Sequence, residues 1–224
     1  SYILDSQALA LVEKGNSIKT NRDIALESLE HFHRVDDDLP MSIRDIEKNF
    51  QDRGFIYECQ RMVRRILGNA PDFKDLSIER SFTSGSTAGF KLTDSTIADK
   101  VSRTIDVSPH ALPYLIQMSK GNLALKRLLM THGFNSVSSI DNPYTIEVVP
   151  KQWDKNRVII KHHFGDVLCQ RTIAGYISSR LKRCGIDIEQ GQSTHREVLR
   201  LFGDCYATID LSDASDRISP ALVK

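Results

Sequence analysis

Four cysteines and a single tryptophan in 224 residues leave little material for a disulfide frame or a cysteine-rich metal centre. Cys59, Cys169, Cys184 and Cys205 show no Cys-x-x-Cys spacing, and no histidine pair stands at zinc-ligand offsets. They read as free thiols of a reducing compartment. No apolar run approaches the ~18 residues needed to span a bilayer, so no membrane-spanning helix is expected. The opening Ser-Tyr-Ile-Leu-Asp lacks a basic n-region and already carries charge, so it does not read as a signal peptide. Neither a Gly-x4-Gly-Lys-Ser/Thr nor a Gly-x-Gly-x-x-Gly pattern occurs, which removes P-loop and dinucleotide-binding readings. Internal repeats and low-complexity tracts are absent too. The first residue is Ser rather than Met, and the chain is expected to be part of a longer protein.

What is present is ordinary in amount and uneven in arrangement. Hydrophobic residues make up 40% and charged residues 26%, with a formal net charge of +1, as in a soluble globular protein. Between Lys151 and Arg183 stand eight Lys/Arg and two acids; between Asp187 and Asp216 stand seven acids and two basic residues. A basic stretch followed by an acidic one suits a site that holds phosphates and a metal ion. It equally suits two oppositely charged solvated faces.

Periodicity predicts mostly helix over the first 70 residues. Asn21 can cap a helix with Ile24, Leu26, Leu29, Phe32 and Val35 on its apolar face, stopped by Asp36-Asp37-Asp38-Leu39-Pro40. Ser42 opens a second helix, with Glu47 in its second turn. A third runs from Gly54 through Ile56, Cys59, Met62, Val63, Ile66 and Leu67 to Gly68. Residues 81–91 form a Ser/Thr/Gly loop flanked by Phe82 and Phe90, which are expected to anchor a core. Helical pieces are expected near 94–105 and 121–132, with Pro109 and Pro113 interrupting the region between them. The β-branched runs Tyr144–Val149 and Arg157–Lys161, joined by the polar turn Lys151 to Asn156, predict a hairpin. Residues 164–184 predict a helix whose end is crowded by Arg180, Lys182 and Arg183, where the helix dipole favours cations. Thr194–Phe202 predicts a further helix, and Tyr206–Leu211 a strand that delivers Asp210 at its end. His162-His163 reads as a partly exposed polar pair rather than a metal site. Trp153 either stacks on a base or packs on protein.

Two segments carry candidate chemistry. Asp210, Asp213 and Asp216 mass three carboxylates at a strand end, where a hard cation such as Mg²⁺ is the common partner. The competing reading makes Ser212 or Asp213 the cap of a helix beginning near 213, with Asp216 in its first turn. In Val148-Val-Pro-Lys-Gln-Trp-Asp-Lys-Asn-Arg157, three cations (Lys151, Lys155, Arg157) lie in and just after a constrained turn. They could clamp a triphosphate, or be plain solvated surface.

Taken together and in this order, the segments resemble the RNA-directed RNA polymerase (replicase β subunit) of levivirus-type RNA bacteriophages. The residues that carry the resemblance are Val149-Pro-Lys-x3-Lys-x-Arg157-x-Ile, then Arg180-Leu-Lys-Arg-Cys-Gly-Ile-Asp-Ile188, then Gln192-Ser. Ala207-Thr-Ile-Asp-Leu-Ser-x-Ala-Ser-Asp-x-Ile-Ser219 completes the match, which covers 146–224. The loop at Ser81–Thr87 is similar to an upstream loop of that family.

The resemblance implies an α+β fold: a right-hand polymerase fragment of mainly helical fingers with a β-hairpin, followed by the first palm strand and helix. Residues 1–204 would be fingers and 205–224 the start of the palm. Asp210 would be the catalytic aspartate of motif A, a ligand of two Mg²⁺ (or Mn²⁺) ions. Asp216 would read the ribose 2′-hydroxyl. Lys151, Lys155 and Arg157 would form the basic fingers hairpin that steers the triphosphate. Arg180, Lys182 and Arg183 would touch the RNA backbone. Partners would be template and product RNA, ribonucleoside triphosphates, the rest of the palm and thumb, and host translation elongation factors. No membrane is involved, and the place of action would be the cytoplasm of the infected bacterial host.

Three departures stand out. Asp213 adds a third negative charge beside the metal site. Lys161-His162-His163 follows the hairpin in place of an acid-proline pair. No Gly-Asp-Asp and no downstream Ser-Gly…Asn element follows Asp210. The chain alone is therefore expected to be inactive. The competing class is a non-enzymatic RNA-binding module using the 151–183 stretch; a third is a helical protein whose charged faces mediate assembly.

Overall fold

A computed structural model describes residues 22–42, 44–46, 53–78, 81–137, 144–152, 155–205, 209 and 213–223. The architecture is α+β, with two small two-stranded sheets among the helices. The chain forms two compact units, neither continuous in sequence: one comprises Ser1–Arg53, Ile146–Ile160 and Asp210–Lys224, the other Gly54–Thr145 and Lys161–Ile209.

The first unit begins with helix α1, Ile24–Asp37. Its cap is Asp23, whose carboxylate accepts the Leu26 N–H at 3.1 Å, rather than the expected Asn21, which lies outside the described residues. Val35 is the buried end of its apolar face, and the helix stops at the acidic run as its sequence predicts. Ser42 opens a helical turn at 44–46, its hydroxyl donating to Asp45 Oδ2 at 2.6 Å; Glu47 lies outside the described residues.

The second unit holds the larger core. It opens with α2 (Arg53–Leu67) and continues through α3 (Ile97–Val101), β1 (Ile105–Val107), α4 (Leu112–Gly121), α5 (Leu123–His132) and β2 (Phe134–Ser136). β1 and β2 pair in parallel, Ile105 opposite Phe134 and Val107 opposite Ser136, with α4 and α5 between them in sequence as the crossover that parallel pairing requires. The hairpin strands β3 (Thr145–Gln152) and β4 (Lys155–Lys161) come next, mostly within the first unit. The second unit then resumes with α6 (Phe164–Arg183) and α7 (Gly191–Phe202).

Ile105 and Val107 point into a cluster with Ile78, Leu115, Met118, Leu125, Phe164 and Leu168. Full burial of each such side chain is worth ~1.5–3 kcal/mol, which is why a three-residue strand can organise the unit. Gly165 permits the close approach of α6: a Cβ there would meet Val107 Cβ at 2.6 Å. Asp166, buried in the first turn of α6, accepts the Ser108 N–H at 3.1 Å and the Ser108 hydroxyl, tying the strand's end to the helix start. Burial and the nearby Asp166 charge push the Cys169 thiol up to about 12. It is an inert core residue, while Cys59, Cys184 and Cys205 are exposed.

The Ser/Thr/Gly loop is fastened at several points. Ser81 and Thr172 hydroxyls share a buried hydrogen bond of 2.9 Å; Gly85 N–H donates to Ser95 O, and Ala88 N–H to His162 O. Lys100, 1% exposed, donates to Thr83 O at 3.0 Å and lies over the Phe164 ring; burial pushes its pKa down. Phe82 packs against the core as expected, while Phe90 lies beneath the Arg103 guanidinium.

Several expectations require correction. Pro109 stands in the turn before α4, so the expected interruption falls there, but Pro113 does not break the chain: it stands in the first turn of α4, where a missing N–H costs nothing. The helix expected near 94–105 is shorter, Ile97–Val101; the chain turns at 102–104, and β1 begins at Ile105, where burial against α6 and β2 outweighs helix propensity. His163 is 2% exposed rather than a partly exposed partner of His162, and both rings pack on Tyr144. The hairpin turn is shorter than expected: the strands extend to Gln152 and begin again at Lys155. Residues 213–217 form hydrogen-bonded turns, and helix α8 starts only at Pro220 (Pro220–Val223), not near 213. The strand expected at 206–211 lies outside the described residues apart from Ile209.

Candidate functional site

The basic hairpin and the aspartate segment belong to the same compact unit. Lys151 is an exposed residue of β3, while Lys155 and Arg157 are exposed on β4. The two β4 cations are two residues apart, so they share one face of the strand. Among the described residues none of the three is held in an ion pair, which leaves their charges available to a ligand.

Helix α1 connects this hairpin to the Asp213 turn. Ser28 Oγ donates to Ile24 O at 2.7 Å and accepts the Asn156 N–H of β4 at 3.4 Å. One turn further along, His31 Nε2 lies 3.1 Å from Asp213 Oδ1. Residues three apart on a helix are surface neighbours, ~5–6 Å between Cβ atoms. The start of β4 and the Asp213 turn therefore meet the same short stretch of one helix.

Asp213 itself adopts φ 55°, a left-handed conformation that Asp tolerates better than most residues. Its carbonyl accepts the N–H groups of both Asp216 and Arg217 at 3.0 Å, closing the turn. Asp216 is exposed, and the Ser215 hydroxyl donates to its carboxylate at 3.0 Å. The third negative charge at 213, unexplained in the sequence, has a partner in His31. Asp210 and Trp153 lie outside the described residues.

A divalent cation needs several hard oxygen ligands. Among the described residues no group of three or more His, Cys, Asp or Glu stands together. Asp213 is engaged by His31, and Asp216 alone does not make a metal centre. The described residues do not by themselves fit the ion.

The three C-terminal cations of α6 lie in the other unit and have different situations. Arg180 is half-buried: its Nε donates to Ile66 O at 2.9 Å, and the Tyr176 hydroxyl donates to Leu67 O at 2.6 Å. Together they satisfy carbonyls at the C-terminus of α2, which the helix itself leaves open. Gly68 makes room for this, since its φ is +74° and a Cβ there would come 2.8 Å from the Arg180 guanidinium. Lys182 pairs with Asp187 at 2.9 Å. Arg183 is exposed. Sequence reasoning missed Ser28, His31 and the capping role of Arg180. Their partners stand more than a hundred residues away, and no local pattern marks such contacts.

With this arrangement described, the relationship to known proteins is informative. The family model "RNA replicase, beta-chain" matches residues 34–224, and the chain belongs to that family. It is 28% identical over 167 residues to the RNA-directed RNA polymerase beta chain of Enterobacteria phage fr, covering 73% of this chain and 31% of the relative. It is 29% identical over 173 residues to the RNA-directed RNA polymerase subunit beta of Qbeta virus (strain MX1), covering 75% and 28%. With the beta chain of Escherichia phage MS2 it shares 27% identity over 179 residues. The matched region spans under a third of the length of these relatives.

Proposed function

We propose that this chain is the fingers and first palm segment of a viral RNA-dependent RNA polymerase that elongates RNA from ribonucleoside triphosphates. The observation that carries the reading is the pair of contacts on α1, from Ser28 to the basic hairpin and from His31 to the Asp213 turn, in a chain of the RNA replicase β-chain family. A triphosphate and a palm carboxylate must meet in one cleft, and α1 links the two elements that would supply them.

In this reading Lys155 and Arg157, with Lys151 on the partner strand, draw in the triphosphate. Arg157 offers a two-pronged donor and the lysines offer point charges. The 3′-hydroxyl of the growing RNA attacks the α-phosphorus and gives up its proton to solvent; a new P–O bond forms, and the bond from the α-phosphorus to the oxygen bridging to the β-phosphate breaks. Pyrophosphate leaves carrying the negative charge, which the same cations stabilise. Asp216 accepts a hydrogen bond from the ribose 2′-hydroxyl and so favours ribonucleotides. Asp210 is the proposed metal ligand. Mg²⁺ or Mn²⁺ bound there would supply Lewis-acid stabilisation of the phosphoryl oxygens.

Residues 1–204 serve as fingers and 205–224 begin the palm. Template and product RNA are partners, host translation elongation factors are further ones, and the work takes place in the bacterial host's cytoplasm. Among the described residues no helix is long and apolar enough to cross a membrane.

Asp210→Ala tests the reading in a chain extended by the remainder of the polymerase. Nucleotide incorporation should vanish while RNA binding persists. Full incorporation by that variant would overturn the proposal, as would metal-dependent incorporation by the 224-residue chain alone. A plain RNA-binding module would bind RNA with steep salt dependence and show no incorporation in the extended chain, with or without Asp210.

A further inference from the structure

The junction of α2 and α6 gathers cations that the nucleotide site does not use. Arg180 and Tyr176 bring the last turn of α6 onto the last turn of α2. Arg64 and Arg65 are exposed in that last turn of α2, and Arg183 is exposed one turn beyond Arg180 at the end of α6. The one acid of α2, Glu58, is engaged by Arg61 at 2.7 Å, and Asp187, just past the end of α6, by Lys182 at 2.9 Å. Neither compensates Arg64, Arg65 or Arg183, which keep their positive charge.

The polar face of α2 has a further feature. Tyr57, 64% exposed, precedes Arg61 by four residues and Arg64 by seven. That spacing puts the three on one side of the helix. Of the half-buried residues of α2, Ile66 falls on the opposite side, while Ile56 and Leu67 lie roughly a quarter turn from that line. An exposed aromatic ring in line with arginines is the combination that holds single-stranded nucleic acid: cations for the phosphates, and a ring on which a base stacks.

We infer that α2 and the end of α6 form a track for single-stranded RNA, with Arg64, Arg65 and Arg183 on the phosphates and Tyr57 against a base. Arg180 is the positioning residue that joins the two helix ends. The inference rests on the reading of the chain as part of an RNA polymerase, and it deepens that reading by adding an RNA path on the second unit.

The test is fluorescence anisotropy of the 224-residue chain with a labelled single-stranded RNA oligonucleotide across a KCl series, with heparin as a polyanion that has no bases. Arg64→Gln/Arg65→Gln should reduce the slope of log K against log salt by about 1.4, the ~0.7 per phosphate expected for a single strand. Arg64→Lys/Arg65→Lys should keep the slope. Tyr57→Ala should weaken RNA binding roughly tenfold, the ratio given by ~1.4 kcal/mol of stacking, and leave heparin binding unchanged. The inference is overturned by an unchanged slope in the Gln variant with an intact helical spectrum, by equal loss of RNA and heparin in Tyr57→Ala, or by absence of RNA binding. Loss of incorporation on Asp210→Ala in the extended chain, together with an unchanged slope in Arg64→Gln/Arg65→Gln, would sink this track and leave the catalytic reading standing.

Discussion

In the unit built on β1 and α6, Ile105, Val107, Leu115, Leu125 and Leu168 are fully enclosed, and a single contiguous cluster surrounds them. In the unit holding the hairpin and the aspartate turn, the buried hydrophobic residues among those described are Val35, Ile46 and Ala221. There the described links between distant segments are polar: Asn156 to Ser28, and Asp213 to His31. Apolar burial is cooperative and non-directional, whereas hydrogen bonds to water-accessible groups contribute little each. The contrast teaches that, among the described residues, the segments carrying the candidate chemistry are joined by polar contacts, whereas the second unit is organised by apolar burial.

Four experiments would break or sharpen that contrast. Leu168→Ala should cost ~2–5 kcal/mol, since it empties a fully enclosed site; urea unfolding followed by far-ultraviolet circular dichroism measures it. A loss below ~1 kcal/mol would mean the cluster is not the main source of stability. Arg180→Ala should cost ~1–3 kcal/mol by leaving the Ile66 carbonyl without its charged donor, and Arg180→Lys should recover only part, because Lys lacks the planar fork. A fully restored Lys variant would show that charge alone matters there.

His31→Ala should change global stability by less than ~1 kcal/mol, as for other exposed ion pairs. It should nevertheless lower hydrogen-exchange protection of the turn amides of Asp216 and Arg217. Unchanged protection would show that the Asp213 turn holds itself. The smallest effect concerns acid. The side-chain hydrogen bond from Lys182 holds Asp187 below its ordinary value of 3.8. A depressed carboxylate contributes stability above its unfolded pKa and loses it as pH falls through the folded value. Exchange of the amides of Glu189 and Gln190, which donate to the Asp187 carboxylate, should therefore quicken only below about pH 4. Acceleration already at neutral pH would contradict this.

Local signals made much of the fold legible. α1, α2, α6 and α7 follow from the recurrence of apolar residues at helical spacing and from their stop residues, and the β3–β4 hairpin from two β-branched runs. The β1–β2 pair escaped because each strand has three residues and becomes stable only when α6 covers it. α4 escaped because Pro113 reads as a breaker until its place in the first turn is known. For the candidate site, the sequence nominates cations and carboxylates by type and order, and the resemblance assigns them roles. It contains no hint that Ser28 and His31 would link them, or that Arg180 would be turned inward to cap another helix.

By itself, then, the order of residues determined the family, the helical and hairpin segments, and the identity of the charged groups, because those depend on short-range periodicity and motif spacing. Tertiary structure alone decided which of those charges are engaged. Arg180, Lys182 and Asp213 find partners, while Lys155, Arg157 and Arg64 remain turned to solvent. A charge's availability depends on which distant segment folds against it, and packing of the whole chain sets that.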